Sequence, residues 1–222
     1  MATESAFFTV NRYRLVRNGL IALFGVALLA GAVAIETHIF DPGTNDHRSS
    51  DVHLVSDGST VSGATSTFER TNEGIDFVLN TSGLPAGHVV IVKALIFNQP
   101  GNCTHGASGR RCGADDIGAA GVDGSIVFAK GFVLRQTGAV NLSGHIAASD
   151  KTHALVGDGL TNPHGADVHL VVVDHGPPIT GLYNDQLSTI GGGCKDAPPG
   201  GGAPGANTCA DLQVAANEVA AN

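Results

Sequence analysis

Val89–Phe97 reads VVIVKALIF, eight apolar residues broken only by Lys93. The run is too short for a helical repeat to declare itself and shows no alternation of polar and apolar positions. It therefore predicts a central β-strand covered on both faces. Working outward, residues 60–68 and 74–79 read as two shorter strands. Residues 125–134 (SIVFAKGFVL), 139–147 (AVNLSGHIA) and 167–173 (DVHLVVV) follow, with Gly131 a candidate bulge. In the last of these, Val168, Leu170 and Val172 point one way, and Asp167, His169, Val171 and Val173 the other. Gly, Asn, Asp and Pro punctuate the intervals, and no helical pattern of about 10–15 residues separates the strands. The expected fold is all-β, an antiparallel β-sandwich of immunoglobulin-like or jelly-roll type, preceded by an N-terminal hydrophobic helix.

That N-terminal segment carries an address. Arg12, Arg14 and Arg17 lead into an uncharged run at residues 19–35, with small residues at Ala30, Ala32 and Ala34. A basic region, an apolar run and a small-residue site form an export signal, cleaved after Ala32 or Ala34 or retained as a membrane anchor. The run lacks the polar stripe of a buried core helix. The expected organisation is leader or anchor (1–35), linker or first strand (36–58), β-sandwich (59–191) and a tail (192–222). In the tail, GGGCKDAPPGGGAPGANTC (residues 191–209) is too rich in Gly and Pro to build a packed element. Residues 210–221 read as a short terminal helix.

Without the leader, the 12 basic residues lose three arginines and the 20 acidic residues lose Glu4, leaving 9 against 19 and a net charge of −10. Such a chain repels phosphate backbones, which argues against nucleic acid as a partner. A membrane is expected to be met only through an uncleaved N-terminal segment. Self-association through sheet edges or a strand at residues 52–55, or an extracellular ligand, are the other partners considered. The four cysteines suit an oxidising compartment, and three pairings exist. Local pairing, Cys103 with Cys112 and Cys194 with Cys209, is favoured because each staples a Gly-rich loop that lacks apolar residues to order itself. No C-x-x-C spacing points to a thioredoxin-like motif.

The densest polar cluster is residues 162–178, NPHGADVHLVVVDHGPP, with His164, His169 and His175 beside Asp167 and Asp174. On an extended strand His169 shares a face with Asp167, while His164 and His175 fall in loops at opposite ends, about 20 Å apart or more. A copper or zinc site would use His88, His169 or His175, with His105, His145 or His153 drawn in from neighbouring strands. The plainer alternative is histidines hydrogen-bonded to loops, with no cofactor. Asp115, Asp116 and Asp123 could offer oxygen ligands to a hard cation, but lack the spacing of a calcium loop. Asn80, Asn102 and Asn141 begin glycosylation sequons. No G-x-S-x-G, P-loop or H-E-x-x-H motif is present.

Residues 83–106, GLPAGHVVIVKALIFNQPGNCTHG, resemble two secreted β-sandwich families. The Gly-Leu-Pro-x-Gly turn and the Gly101-Asn102-Cys103-Thr104 loop are similar to copper/zinc superoxide dismutase. The strand between them reads Val90-Ile91-Val92, however, where the dismutase has its H-x-H copper ligands. The fuller resemblance is to CHRD-like domains and related secreted microbial proteins. It rests on the Gly83–His88 turn, Ile96–Pro100, the Asn162–Val172 block, His175–Pro177 and Gln186–Thr189. It spans residues 83–209 and implies a sandwich, but no reaction. The function expected from all of this is a secreted or surface-tethered β-sandwich with a structural or binding role and no turnover. The alternatives are a histidine-based metal protein or metal-dependent enzyme, and a self-assembling subunit.

Overall fold

The structure, a computed structural model, describes residues 46–106 and 109–220. The export signal or anchor read at residues 1–35 lies outside the described residues. The described chain is all-β and antiparallel: nine strands form one curled sheet, with a single short α-helix outside it.

The strand that decides the fold forms as expected: β4 spans Val89–Phe97. Val90, Val92, Ala94 and Ile96 enter the main core, while Ile91, Leu95 and Phe97 pack on the opposite face. Lys93 reaches Asp211, Nζ to Oδ1 at 2.8 Å. Around β4 the chain runs β1 (His47–Leu54), β2 (Thr60–Thr71), β3 (Gly74–Thr81), β5 (Gly124–Val133), β6 (Val140–Ala147), β7 (Ala154–Val156), β8 (Asp167–Asp174), α1 (Tyr183–Ser188) and β9 (Ala210–Asn217). The order across the sheet is β6-β3-β2-β1-β9-β8-β4-β5-β7.

Period-two alternation sets the inner face. Ile75, Phe77 and Leu79 of β3 turn inward while Asp76 and Val78 face solvent. Phe77 lies opposite Phe68 of β2, ring centroids 6.5 Å apart. The sheet curls until Leu142 and Ile146 of the edge strand β6 share one core with Val168, Leu170 and Val172 of β8. Strand β8 is buried on both sides, with the facing read from its sequence: Val171 and Val173 pack outward with Ile91 and Val214.

Two expectations are corrected. Residues 210–217 of the expected terminal helix form strand β9, filling the slot between β1 and β8. An isolated helix of about twelve residues is marginal in water, so two flanking ladders outweigh alanine's helix preference. The bulge in β5 falls at Ala129, the residue skipped between the Val92↔Lys130 and Lys93↔Phe128 pairs. Gly131 serves α1 instead, because a Cβ there would overlap the backbone of Leu187. The Gly/Pro-rich stretch after Gly191 is a loop closed by Cys194–Cys209, as expected, and its own backbone orders it further. Gly191 N–H donates to the Gly201 carbonyl, Gly193 to Ala203 and Gly205 to Cys194, at 2.6–3.0 Å.

Candidate functional site

Strands β1 and β9, the first and last among the described residues, meet in the middle of the sheet, but only briefly. β1 pairs with β9 through Val52↔Ala215, His53↔Val214 and Leu54↔Gln213. Beyond that, residues 47–51 continue along β2, and Ala216 and Asn217 continue along β8. The two strands therefore part, opening a cleft of about 350 Å³. Arg48, Ser50 and Asp51 stand on one wall, Asn217 and Glu218 on the other, with Arg110 at the rim.

The cleft is unusual in this chain for its arginines. Only five follow residue 45, and four of them line this cleft or bond to its walls. Arg48 and Arg110 line it. The Arg111 backbone N–H donates to Glu218 Oε1 at 2.6 Å, and Arg70 Nη2 donates to the Asn217 carbonyl at 3.4 Å. Buried Arg70 also donates to the Pro163 carbonyl at 2.6 Å and sits 5.6 Å from the Phe68 ring centre. Burial lowers its guanidinium to about 10, against the pull of Asp167.

On the cleft walls Ser50 Oγ and Asn217 Oδ1 are buried and make no hydrogen bond. Asn217 is 1% exposed and uses its amide nitrogen on Ser66 Oγ at 3.1 Å, which leaves its oxygen as a bare acceptor. Such groups are costly when unmet, and they cluster where a ligand supplies the missing partner.

Behind Glu218 lies a buried polar network. Asp167, fully buried, accepts from the Val219 amide at 2.7 Å and from Arg111 Nε at 3.0 Å. Burial raises the Asp167 carboxyl above its ordinary range despite these two partners. His169, the strand histidine singled out by sequence, is 2% exposed, with its ring edge-on to Phe97 at 5.1 Å. Its Nε2 makes no hydrogen bond and lies 3.8 Å from Glu218 Oε1. That imidazole, ahead of the Arg111 amide, holds Glu218 below the usual glutamate range.

The structure does not bring His88, His169 and His175 together. His169 and His175 are six residues apart along one extended strand, about 20 Å. His88 Nδ1 lies 2.9 Å from Asp174 Oδ1. His175 is fully buried, with Nδ1 and Nε2 each 3.0 Å from a backbone carbonyl, of Gln186 and Ile190 respectively. Histidines facing carboxylates are common here: His47, His105, His145, His153 and His164 also do so. The pairing of His88 is thus the ordinary habit of this surface. Both local disulfides are present, Cys103–Cys112 and Cys194–Cys209, with Cα atoms 5.2 and 5.5 Å apart.

The candidate cation carboxylates are separated too. Asp115 is exposed, and Asp123 accepts the Thr161 hydroxyl at 3.0 Å. Asp116 is buried in the Cys103–Cys112 lobe. Burial opposes its ionisation, but the amides of Thr104, Gly113 and His105 and the His105 ring win, and its carboxyl falls to about 2. A carboxyl lowered by folding stabilises above its unfolded pKa, about 4, and loses that contribution as pH falls towards the folded value. The lobe is expected to loosen between about pH 4 and pH 2. Amide exchange at residues 103–117 checks this, and Asp116→Asn should remove the step in that window.

Sequence reasoning missed Arg48, Ser50, Arg110, Asn217 and Glu218. The one available signal was the scarcity of arginine, and its convergence depends on the meeting of β1 and β9. No protein-family model, curated protein or solved structure matches this chain.

Proposed function

We propose that this chain is an exported, disulfide-stapled β-sandwich, secreted or surface-tethered, whose role is binding rather than turnover. Its ligand is a small anion that also carries hydroxyl groups, such as a uronic acid or a polyhydroxy acid, held in the β1/β9 cleft. The CHRD-like resemblance of residues 83–209 and the leader belong to the same reading. So does the sandwich, which a shared core supports: Phe68 of β2 and Leu142 of β6 belong to one cluster with Val90 of β4 and Val168 of β8.

The observation that carries the ligand assignment is the composition of the cleft. Arg110 offers a forked donor that matches a carboxylate, and Arg48 adds positive charge to the wall beside it. Asn217 Oδ1, Asp51 and Glu218 only accept, so they call for hydroxyl donors. A bare phosphate would satisfy the arginines but meet the two carboxylates as repulsion. A volume of about 350 Å³ suits a ligand of one or two sugar rings. Two disulfides fit the oxidising surroundings in which such a ligand would be met.

Thermal denaturation with added D-glucuronate, D-glucose or inorganic phosphate tests the reading. Glucuronate is expected to raise the midpoint in a concentration-dependent way, and the other two far less. Arg110→Ala is expected to weaken glucuronate binding about 10- to 100-fold, as the loss of a charge-assisted hydrogen bond implies. Equal shifts with all three probes, or an unchanged response in Arg110→Ala, would remove the cleft from the account.

A further inference from the structure

The second disulfide encloses more than a loop. Around Cys194 and Cys209, the two sulfurs and one ring nitrogen of His175 all lie within 4.8 Å of one another. Cys194 and His175 are buried, and Cys209 is partly so. As a disulfide, the sulfurs have no thiolate to offer. Reduced, they become two soft ligands beside a fixed imidazole.

The imidazole is itself under-supplied. Each of its nitrogens lies 3.0 Å from a carbonyl oxygen, Gln186 on one side and Ile190 on the other. A neutral ring has a single N–H, so it can serve only one of these acceptors. One nitrogen lone pair therefore faces a carbonyl oxygen with no hydrogen between them. A cation at that point would take both as ligands.

We infer that the reduced form of this chain binds one thiophilic cation, zinc or copper(I), through Cys194, Cys209 and His175. The carbonyl facing the unprotonated nitrogen, or a water, completes the set. In tetrahedral zinc the sulfurs stand about 3.8 Å apart and the N and O ligands about 3.3 Å apart. Once the S–S bond is broken, these spacings require side-chain shifts of about 1 Å. The balance is simple. A phosphine such as tris(2-carboxyethyl)phosphine gives two electrons to the disulfide and becomes the phosphine oxide, with water supplying its oxygen. Two thiols result, and zinc displaces their two protons. Disulfide and metal exclude each other, so the same three residues sense thiol redox state.

The first disulfide offers no equal site. Its nearby carboxylate, Asp116, already accepts from three backbone amides and the His105 ring.

The test is cobalt(II) titration of the full chain after phosphine reduction, with folding followed by circular dichroism. The reduced protein is expected to bind one equivalent of cobalt with a thiolate-to-cobalt charge-transfer band, displaced by zinc and absent from the oxidised protein. Cys103→Ser/Cys112→Ser should retain the band and Cys194→Ser/Cys209→Ser should lose it. His175→Gln should weaken binding by more than about tenfold. Should that buried variant fail to fold, X-ray absorption of the zinc-loaded wild type must show two sulfurs and one imidazole. No band in folded reduced protein, a band surviving Cys194→Ser/Cys209→Ser, or unfolding on reduction would each overturn the inference.

Discussion

Arg111→Ala is expected to cost the domain about 3 kcal/mol, a fall in Tm of roughly 6–12 °C. The reason lies in what the substitution leaves behind. Asp167 is fully buried, and Arg111 Nε at 3.0 Å is its only cationic partner at bonding distance among the described residues. Removing one member of such a pair strands the other in a poor solvent, which costs more than the pair itself contributes. Arg111 also donates to the Val219 carbonyl, so the substitution removes one of the ties on the segment just beyond β9. The pH dependence has a definite sign. Asp167 is already raised by burial, and losing Arg111 raises it further. As pH falls through that raised value, Asp167 takes a proton and the stranded charge disappears. The deficit of Arg111→Ala should therefore be smaller at pH 4.5 than at pH 7.5, and Asp167→Asn in the same background should recover part of it. Urea denaturation at the two pH values reads both effects. A deficit that grows on acidification would show that Asp167 is not the stranded group.

Phe97→Ala has an expected cost of about 3–5 kcal/mol. Phe97 ends β4 with no exposed surface and packs with Cys112, Val122 and Ile117, which belong to the Cys103–Cys112 lobe. Its ring also meets the His169 imidazole. The substitution removes the anchor of the lobe and the wall that orients His169. Phe97→Leu refills most of the volume and should cost about a third as much. Urea denaturation measures the difference, while the chemical shifts of His169 report whether its ring has lost its seat. If Phe97→Ala costs less than about 1 kcal/mol, the lobe is held by its disulfide and Asp116 rather than by this contact.

The fold was legible wherever periodicity is local. The two-faced run of β4, the split facing of β8 and the inward Ile75, Phe77 and Leu79 of β3 follow from side-chain alternation alone. Strand β9 was not legible, because DLQVAAN becomes a strand only through ladders to β1 and β8, distant in sequence. Strand β7, with three residues, and α1, with six, are too short to carry a pattern. The site divides in the same way. His169 stood out on its strand, and the structure seats it behind Glu218. Arg48, Arg110 and Asn217 gave no sign, since each lies in a different segment and only the parting of two strands makes them neighbours. His175 read as a loop histidine, either a candidate metal ligand or hydrogen-bonded to its surroundings. Helix α1 buries it and gives its Nδ1 the Gln186 carbonyl, with Ile190 just beyond serving Nε2.

Titration of isotope-labelled protein with D-glucuronate, followed in its amide nitrogen–proton correlation spectrum, tests directly whether the β1/β9 cleft binds a hydroxylated anion. Binding in the cleft gives saturable shifts concentrated at residues 48–51, at Arg110 and at residues 216–218, with little change around His88 or His175. Saturable shifts elsewhere, or none at millimolar glucuronate, would contradict it.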